Sequence, residues 1–270
     1  MPSTLIVFDT ETATLSGAPH LLELGALRIE DGVVSARFES LVQPDLEIEP
    51  GATAVHGIRA QDVAGAPRAA EVLRAFADFA GGAPLAAHNA AFDARVLAFE
   101  CTRRGVDAPS GPVHDSLLLA RHALPAAPSH KLSELAALLQ LGARRHHRAL
   151  DDAQLCWELV AHCLERLGHA RSEPAHWPER CARSLRIAAC GPRAPEKLAA
   201  QHAPLAQALA HGGRALLLCA EPQGIPRRVP VVPRLLFATA ERTYLEADCA
   251  HTAVPRTFRL DHILHVELQS

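Results

Sequence analysis

The chain has 270 residues, 49% of them hydrophobic and 21% charged, with a net charge of −3. That balance excludes a disordered chain and leaves room for one large or two modest domains. No run approaches the roughly 18 to 20 apolar residues of a membrane span. The apolar stretch Leu5–Phe8 is too short for a secretory signal and ends in an acid, so the expectation is a cytoplasmic protein without a membrane partner.

Seven cysteines occur without a C-x-x-C pair, which points to free thiols in a reducing compartment rather than a disulfide framework or a thiolate zinc site. Charge is unevenly spread. Up to Gly168 there are 14 Arg and Lys against 21 Asp and Glu, and from His169 onward 13 against 9. An acidic module joined to a basic one is expected. The acidic excess does not exclude an anionic substrate if four of the acids hold two divalent cations.

In chain order, residues 3–8, 21–29 and 33–42 read as strands, with Asp31-Gly32 as a tight hairpin turn. Residues 68–79 carry helical spacing at Val72, Phe76 and Phe79 and stop at Gly81-Gly82. A short strand follows over 84–88, then a helix over 91–104 ending at Gly105, and another over 132–139. The helix over 151–167 repeats Cys156, Val160, Cys163 and Leu167 on one face. Pro174, Pro178, Pro192 and Pro195 mark a linker over 171–193. Beyond it come a helix over 196–210 and strands over 214–220, 228–238, 243–249 and 256–268, the last broken near Asp261.

The chemistry sits in the acids. Asp9 and Glu11 end the first strand two residues apart, so both carboxylates face one side of it. Asp93 and Asp152 each stand near the start of a helix, and His147 lies five residues before Asp152. Singly, these are ordinary solvated strand ends, helix-dipole acids and surface histidines. Together they form the set D-x-E, H-N-x-x-F-D and H-x-x-x-x-D. That set suits a two-metal phosphodiesterase, in which hard oxygen ligands hold two Mg²⁺ or Mn²⁺ ions and a histidine titrating near neutrality acts as base.

Phe8-Asp9-Thr10-Glu11-Thr12, Asn89-Ala90-Ala91-Phe92-Asp93 and His147-Arg148-Ala149-Leu150-Asp151-Asp152-Ala153 resemble the three motifs of DnaQ-like exonucleases of the histidine-containing (DEDDh) type. Val55-His56-Gly57-Ile58 and His114-Asp115-Ser116-Leu117 resemble further landmarks of that family. The resemblance covers about Leu5 to Leu167. It implies an α/β, RNase H-like domain with a mixed central sheet over residues 1–170. It implies 3′→5′ removal of nucleoside 5′-monophosphates from nucleic acid with a free 3′ end, single-stranded DNA being the expected substrate. Asp9, Glu11, Asp93 and Asp152 would be metal ligands and His147 the general base. Thr10, Thr12, Leu15, His56 and Asn89 would lie on the substrate side, while Asp115 would be structural. His146 and Asp151 share the spacing of His147 and Asp152; the family's Ala after the ligating Asp selects the latter pair. Ala13-Thr14 departs from the family's usual Thr-Gly and bears on substrate fit. An exoribonuclease, or a nuclease fold that only binds nucleic acid, are the alternatives, and the complete acidic set argues against the second.

Residues 194–270 resemble a WYL domain, through Arg228-x-Pro230-x-x-Pro233, Thr243-Tyr244-Leu245 and Arg256-Thr257-Phe258-Arg259. That resemblance implies a small Sm- or SH3-like β-barrel with a nucleotide or nucleic-acid ligand. Arg228, Tyr244, Arg256 and Arg259 are its candidate anion-binding residues. Thr243 replaces the family's tryptophan, and His262 stands where arginine is common.

Overall fold

The computed structural model describes residues 3–15, 17–142, 147–170, 177–178, 181, 183–221, 224–239 and 242–269. They form two compact units, the first comprising the chain up to Leu15 and from Pro19 to Gly191, the second the chain from Pro192 onward together with the short segment between Leu15 and Pro19. Each unit has its own five-stranded sheet. No helix among the described residues is long and apolar enough to cross a membrane.

In the first unit the three expected strands, β1 (Thr4–Thr12), β2 (Leu21–Glu30) and β3 (Val33–Leu41), form an antiparallel meander. Asp31 and Gly32 both have positive φ, 49° and 81°, as a two-residue turn matched to strand twist requires. Next comes α1 (Pro50–His56), with proline at its start and Gly57 in the left-handed conformation at its end. Then α2 (Ala69–Ala80), β4 (Leu85–Ala87), α3 (Ala91–Arg104), β5 (Val113–Asp115), α4 (Ser116–Ala123), α5 (Leu132–Leu138) and α6 (Ala149–Arg166) complete the unit. The sheet order is β3-β2-β1-β4-β5, with β4 and β5 joining in parallel, so the sheet is mixed.

Alternation along β1 builds two cores. Ile6 and Phe8 pack with Val72, Phe76 and Leu97 from α2 and α3. Leu5 and Val7 pack with Leu119, Leu135, Trp157 and Val160 from α4, α5 and α6. The sheet is therefore covered by helices on both faces, and β1 reads as a continuous apolar run for that reason.

Two local features position the site. β4 is short and meets β1 only at Ile6 and Val7, so β1 runs on past it. On the other side, Gly25 of β2 has no room for a side chain: a Cβ there would lie 2.1 Å from the Leu150 backbone nitrogen. The first turn of α6 is thereby seated directly on the sheet backbone.

The stretch expected to be a linker over 171–193 instead contributes to the first unit where it is described. Trp177 stacks on His114 with ring centroids 4.9 Å apart. Leu185 bridges to Val113, and Ile187 is fully buried in the α2–α3 core. Its apolar residues find burial that its prolines gave no sign of.

In the second unit α7 spans Ala203–His211, starting later than the expected Glu196. Pro204 explains the shift, because a proline ring is tolerated in the first helical turn and not further in. The strands β6 (Arg214–Cys219), β7 (Arg227–Ala238), β8 (Thr243–Cys249), β9 (Pro255–Arg259) and β10 (Ile263–Gln269) form an antiparallel sheet of order β10-β6-β7-β8-β9. A one-turn 3-10 helix over Leu260–His262 separates β9 from β10, at the break expected near Asp261. Leu205, Leu217, Val231, Leu245 and Ile263 form this unit's core.

Candidate active site

Asp9 and Glu11 share the β1 face that carries Leu5 and Val7, the face packed by α6. Asp152 stands in the first turn of α6. Its Oδ2 accepts the His147 backbone N–H at 2.9 Å. His147 has φ 63°, a left-handed turn that lies just ahead of the helix. As a result Glu11, His147 and Asp152 each offer a ligand atom within 4.8 Å of the others.

Asp93 arrives from the opposite layer, in the first turn of α3, and is buried. Its Oδ1 accepts the Thr10 N–H at 2.9 Å and the Thr10 hydroxyl at 2.7 Å. The Thr10 N–H is available because β4 has already ended. The short strand is thus what lets a carboxylate from α3 reach the end of β1.

These acids repel one another in a poorly solvated place. Burial, then Asp93, Asp152, Glu11 and Glu23, hold the Asp9 carboxyl well above its usual range. Burial, and after it Asp152 and Glu23, push Glu11 up to about 8. Burial lifts Asp93 to about 7, against the pull of its two bonds from Thr10. Hard oxygen donors converging from β1, α3 and α6, too crowded to ionise together, fit a divalent cation.

The other sequence candidates divide into three kinds. Thr10 is buried and its hydroxyl is committed to Asp93, so it holds a carboxylate. Thr12 donates its hydroxyl to the Thr14 carbonyl at 2.9 Å. The buried His56 accepts the Ile58 N–H at Nδ1, 3.0 Å, and contacts the Thr12 carbonyl through Nε2 at 3.2 Å. An Nδ1 that accepts leaves the proton on Nε2, and burial lowers the pKa of this ring, so a neutral His56 ties α1 to the end of β1. Leu15 and Asn89 are placed differently. Leu15 is 61% exposed, with its N–H held by Glu49 at 2.9 Å. Asn89 has φ 62°, and its N–H is held by Asp115 at 3.0 Å, through the oxygen that also caps α4 at Leu117. Asp115 is structural in that sense. His146 lies outside the described residues.

Glu23 was not singled out from the sequence. It is fully buried on β2, directly across from Glu11. The signal was there: it is the lone charge in the apolar run Leu21-Leu22-Glu23-Leu24-Gly25-Ala26-Leu27.

In the second unit Tyr244 and Arg259 are cross-strand partners on β8 and β9. Tyr244 stacks on Phe237 at 5.3 Å, and Arg259 is paired with Asp261. Arg256 is three residues from Arg259 along β9 and therefore faces the other side of the sheet. Arg228 lies on β7 opposite Leu218. The four candidates do not share one face.

Residues 6–160 match the family model described as Exonuclease (RNase_T). Over 168 residues the chain is 37% identical to a DNA polymerase III PolC-type of Oceanobacillus iheyensis, covering 60% of this chain and 12% of that protein. It is 40% identical over 155 residues to a DNA polymerase III subunit epsilon-like protein of Rhodobacter capsulatus, covering 55% of this chain and 22% of that one. The chain thus spans only a small part of the curated relatives it matches. Among solved structures it is similar to exonuclease X in complex with 5′ overhanging duplex DNA, with 28% identity and a TM-score of 0.51 over 63% of this chain and 98% of that one. With a family match over more than half its length, the chain belongs to the DnaQ/RNase T exonuclease family and is a nuclease.

Proposed function

We propose that the chain is a 3′→5′ exonuclease releasing nucleoside 5′-monophosphates from the free 3′ end of nucleic acid, with single-stranded DNA as its preferred substrate. The observation that carries this reading is the meeting of Glu11, His147 and Asp152 within 4.8 Å, beside the repelling pair Asp9 and Asp93. Asp9, Glu11, Asp93 and Asp152 would hold two divalent cations, Mg²⁺ or Mn²⁺. When bound, these supply Lewis acidity at the scissile phosphate and at the leaving 3′ oxygen. His147, exposed at its turn, removes the proton from the attacking water and passes it to solvent. Leu15 offers apolar surface to the terminal base, with Thr12, His56 and Asn89 shaping the pocket around it. Thr10 serves by holding Asp93.

The DNA preference is supported by likeness to DNA polymerase III chains and to a nuclease solved with DNA. We read the second unit as a WYL-like small barrel that takes a nucleotide or nucleic-acid ligand, supported by its excess of cations and by the adjacent Tyr244 and Arg259. End-labelled single-stranded DNA, duplex DNA and RNA, assayed side by side with Mg²⁺ and with Mn²⁺, test the substrate. Fastest turnover is expected on single-stranded DNA and none in EDTA. Faster turnover of RNA would make it an exoribonuclease, and full activity in EDTA would refute the metal reading.

A further inference from the structure

Glu23 is a fully buried carboxylate next to a site already crowded with acids. Such a group is costly unless paired. Its partner is Arg148, the residue after His147. Arg148 Nε lies 3.0 and 3.1 Å from the two Glu23 oxygens, and Nη2 lies 2.5 Å from Oε1. Glu23 Oε2 also accepts the Ala149 N–H at 3.0 Å. Ala149 opens α6, and the helix has no side-chain cap of its own. Glu23, 126 residues away in sequence, satisfies one of its unpaired N–H groups and complements its dipole. Two residues along β2, Gly25 admits the Leu150 backbone.

The chain leaving His147 is therefore fixed at three successive residues, Arg148, Ala149 and Leu150. His147 itself needs that fixing. Its φ of 63° is unfavourable for a residue with a side chain, and such a conformation persists only where its surroundings impose it. Both Glu23 oxygens accept hydrogen bonds from the start of α6, which sets it apart from the four acids proposed as metal ligands.

We propose that Glu23 and Arg148 are positioning residues for the nuclease reaction, a latch between β2 and the start of α6 that sets His147 and Asp152 against Glu11. This rests on the function proposed above. The latch acts through other residues and touches no substrate, so its loss lowers kcat and leaves KM unchanged.

The test measures kcat and KM, per folded molecule, for the full chain carrying Arg148→Ala, Glu23→Gln, both together, or Arg148→Lys, beside His147→Ala and Asp152→Ala. Partners of metal ligands commonly contribute about 10- to 100-fold, and a kcat loss of that size with unchanged KM is expected for each single latch variant except Arg148→Lys. Arg148→Lys keeps the charge without the fork and should fall between wild type and Arg148→Ala. Added guanidinium ion should restore part of the turnover of Arg148→Ala and none of that of Asp152→Ala. The double variant should be no worse than the poorer single one. Where Arg148→Ala does not fold, Arg148→Lys and Glu23→Gln carry the test. Wild-type kcat in folded latch variants, or losses that multiply in the double variant, overturn the latch. If His147→Ala and Asp152→Ala are themselves fully active, the failure lies with the proposed function instead.

Discussion

Replacing Glu11 by glutamine should stabilise the protein when metal is removed. Burial and the neighbouring Asp152 and Glu23 raise the Glu11 pKa from 4.5 to about 8. A carboxyl raised on folding holds its proton more tightly in the folded state. Stability is therefore lost as pH climbs from the unfolded value toward the folded one. By pH 7.5 that loss is on the order of 4 kcal/mol at 1.36 kcal/mol per unit, before any relaxation of the site. A neutral amide of the same shape escapes it. The histidines His20, His56, His88 and His114, whose pKa values are lowered chiefly by burial, oppose the trend below neutrality. They are present in both proteins and cancel in the difference. Thermal unfolding in EDTA, followed by circular dichroism from pH 4.5 to 8.5, should show no gap between variant and wild type at the acid end. Near pH 7.5 the gap should be roughly 5–10 °C in favour of Glu11→Gln, taking about half the full effect or more at about 2–4 °C per kcal/mol. With millimolar Mg²⁺ the order should reverse, because only the wild type keeps all its carboxylate ligands and is stabilised by binding. A wild type as stable as the variant at pH 7.5 in EDTA would refute the idea that Glu11 is held in a repelling, poorly solvated cluster.

Three further outcomes are expected. Asp9→Ala, Asp93→Ala and Asp152→Ala should each remove most turnover at saturating Mg²⁺, and His147→Ala should cost about 10²–10⁴ in rate, measured as mononucleotide release by folded protein. Glu100 is buried with Arg103 at 2.7 Å, Arg104 at 3.2 Å and the Leu21 N–H at 3.2 Å. Glu100→Ala should therefore cost about 3–5 kcal/mol in denaturant unfolding and leave the kcat of the folded fraction intact.

Much of this protein could be read from its sequence because burial writes a period into it. The strands β1–β3 and helices α2, α3 and α6 followed from strand alternation and helical spacing, and the structure places the four carboxylates singled out by the exonuclease-like motifs near the end of β1. The helix α1 was not read, although Pro50 and Gly57 bracket it, because a seven-residue helix carries too few apolar positions to show a period. The burial of Ile187 could not be foreseen from the prolines around it, since burial against α3 is a property of the folded core. The separation of Arg256 from Arg259 required the strand register. Glu23 illustrates the main gap. Its meaning depends on Arg148, its partner 125 residues away, and no local pattern ties the two together. The motif around His147 marks the candidate site in the sequence, whereas the carboxylate that bonds Arg148 and Ala149 within it comes from another strand.

Polarity at a free 3′ end is what the proposed function requires of the enzyme. The most direct measurement compares a 5′-labelled linear single strand ending in a 3′ hydroxyl with a covalently closed circle of the same sequence, both with Mg²⁺. The expected result is a ladder of products shortening stepwise from the 3′ end, release of nucleoside 5′-monophosphates, and an intact circle. Cleavage of the circle at the rate of the linear strand, or label released first as a 5′-terminal mononucleotide, would contradict it.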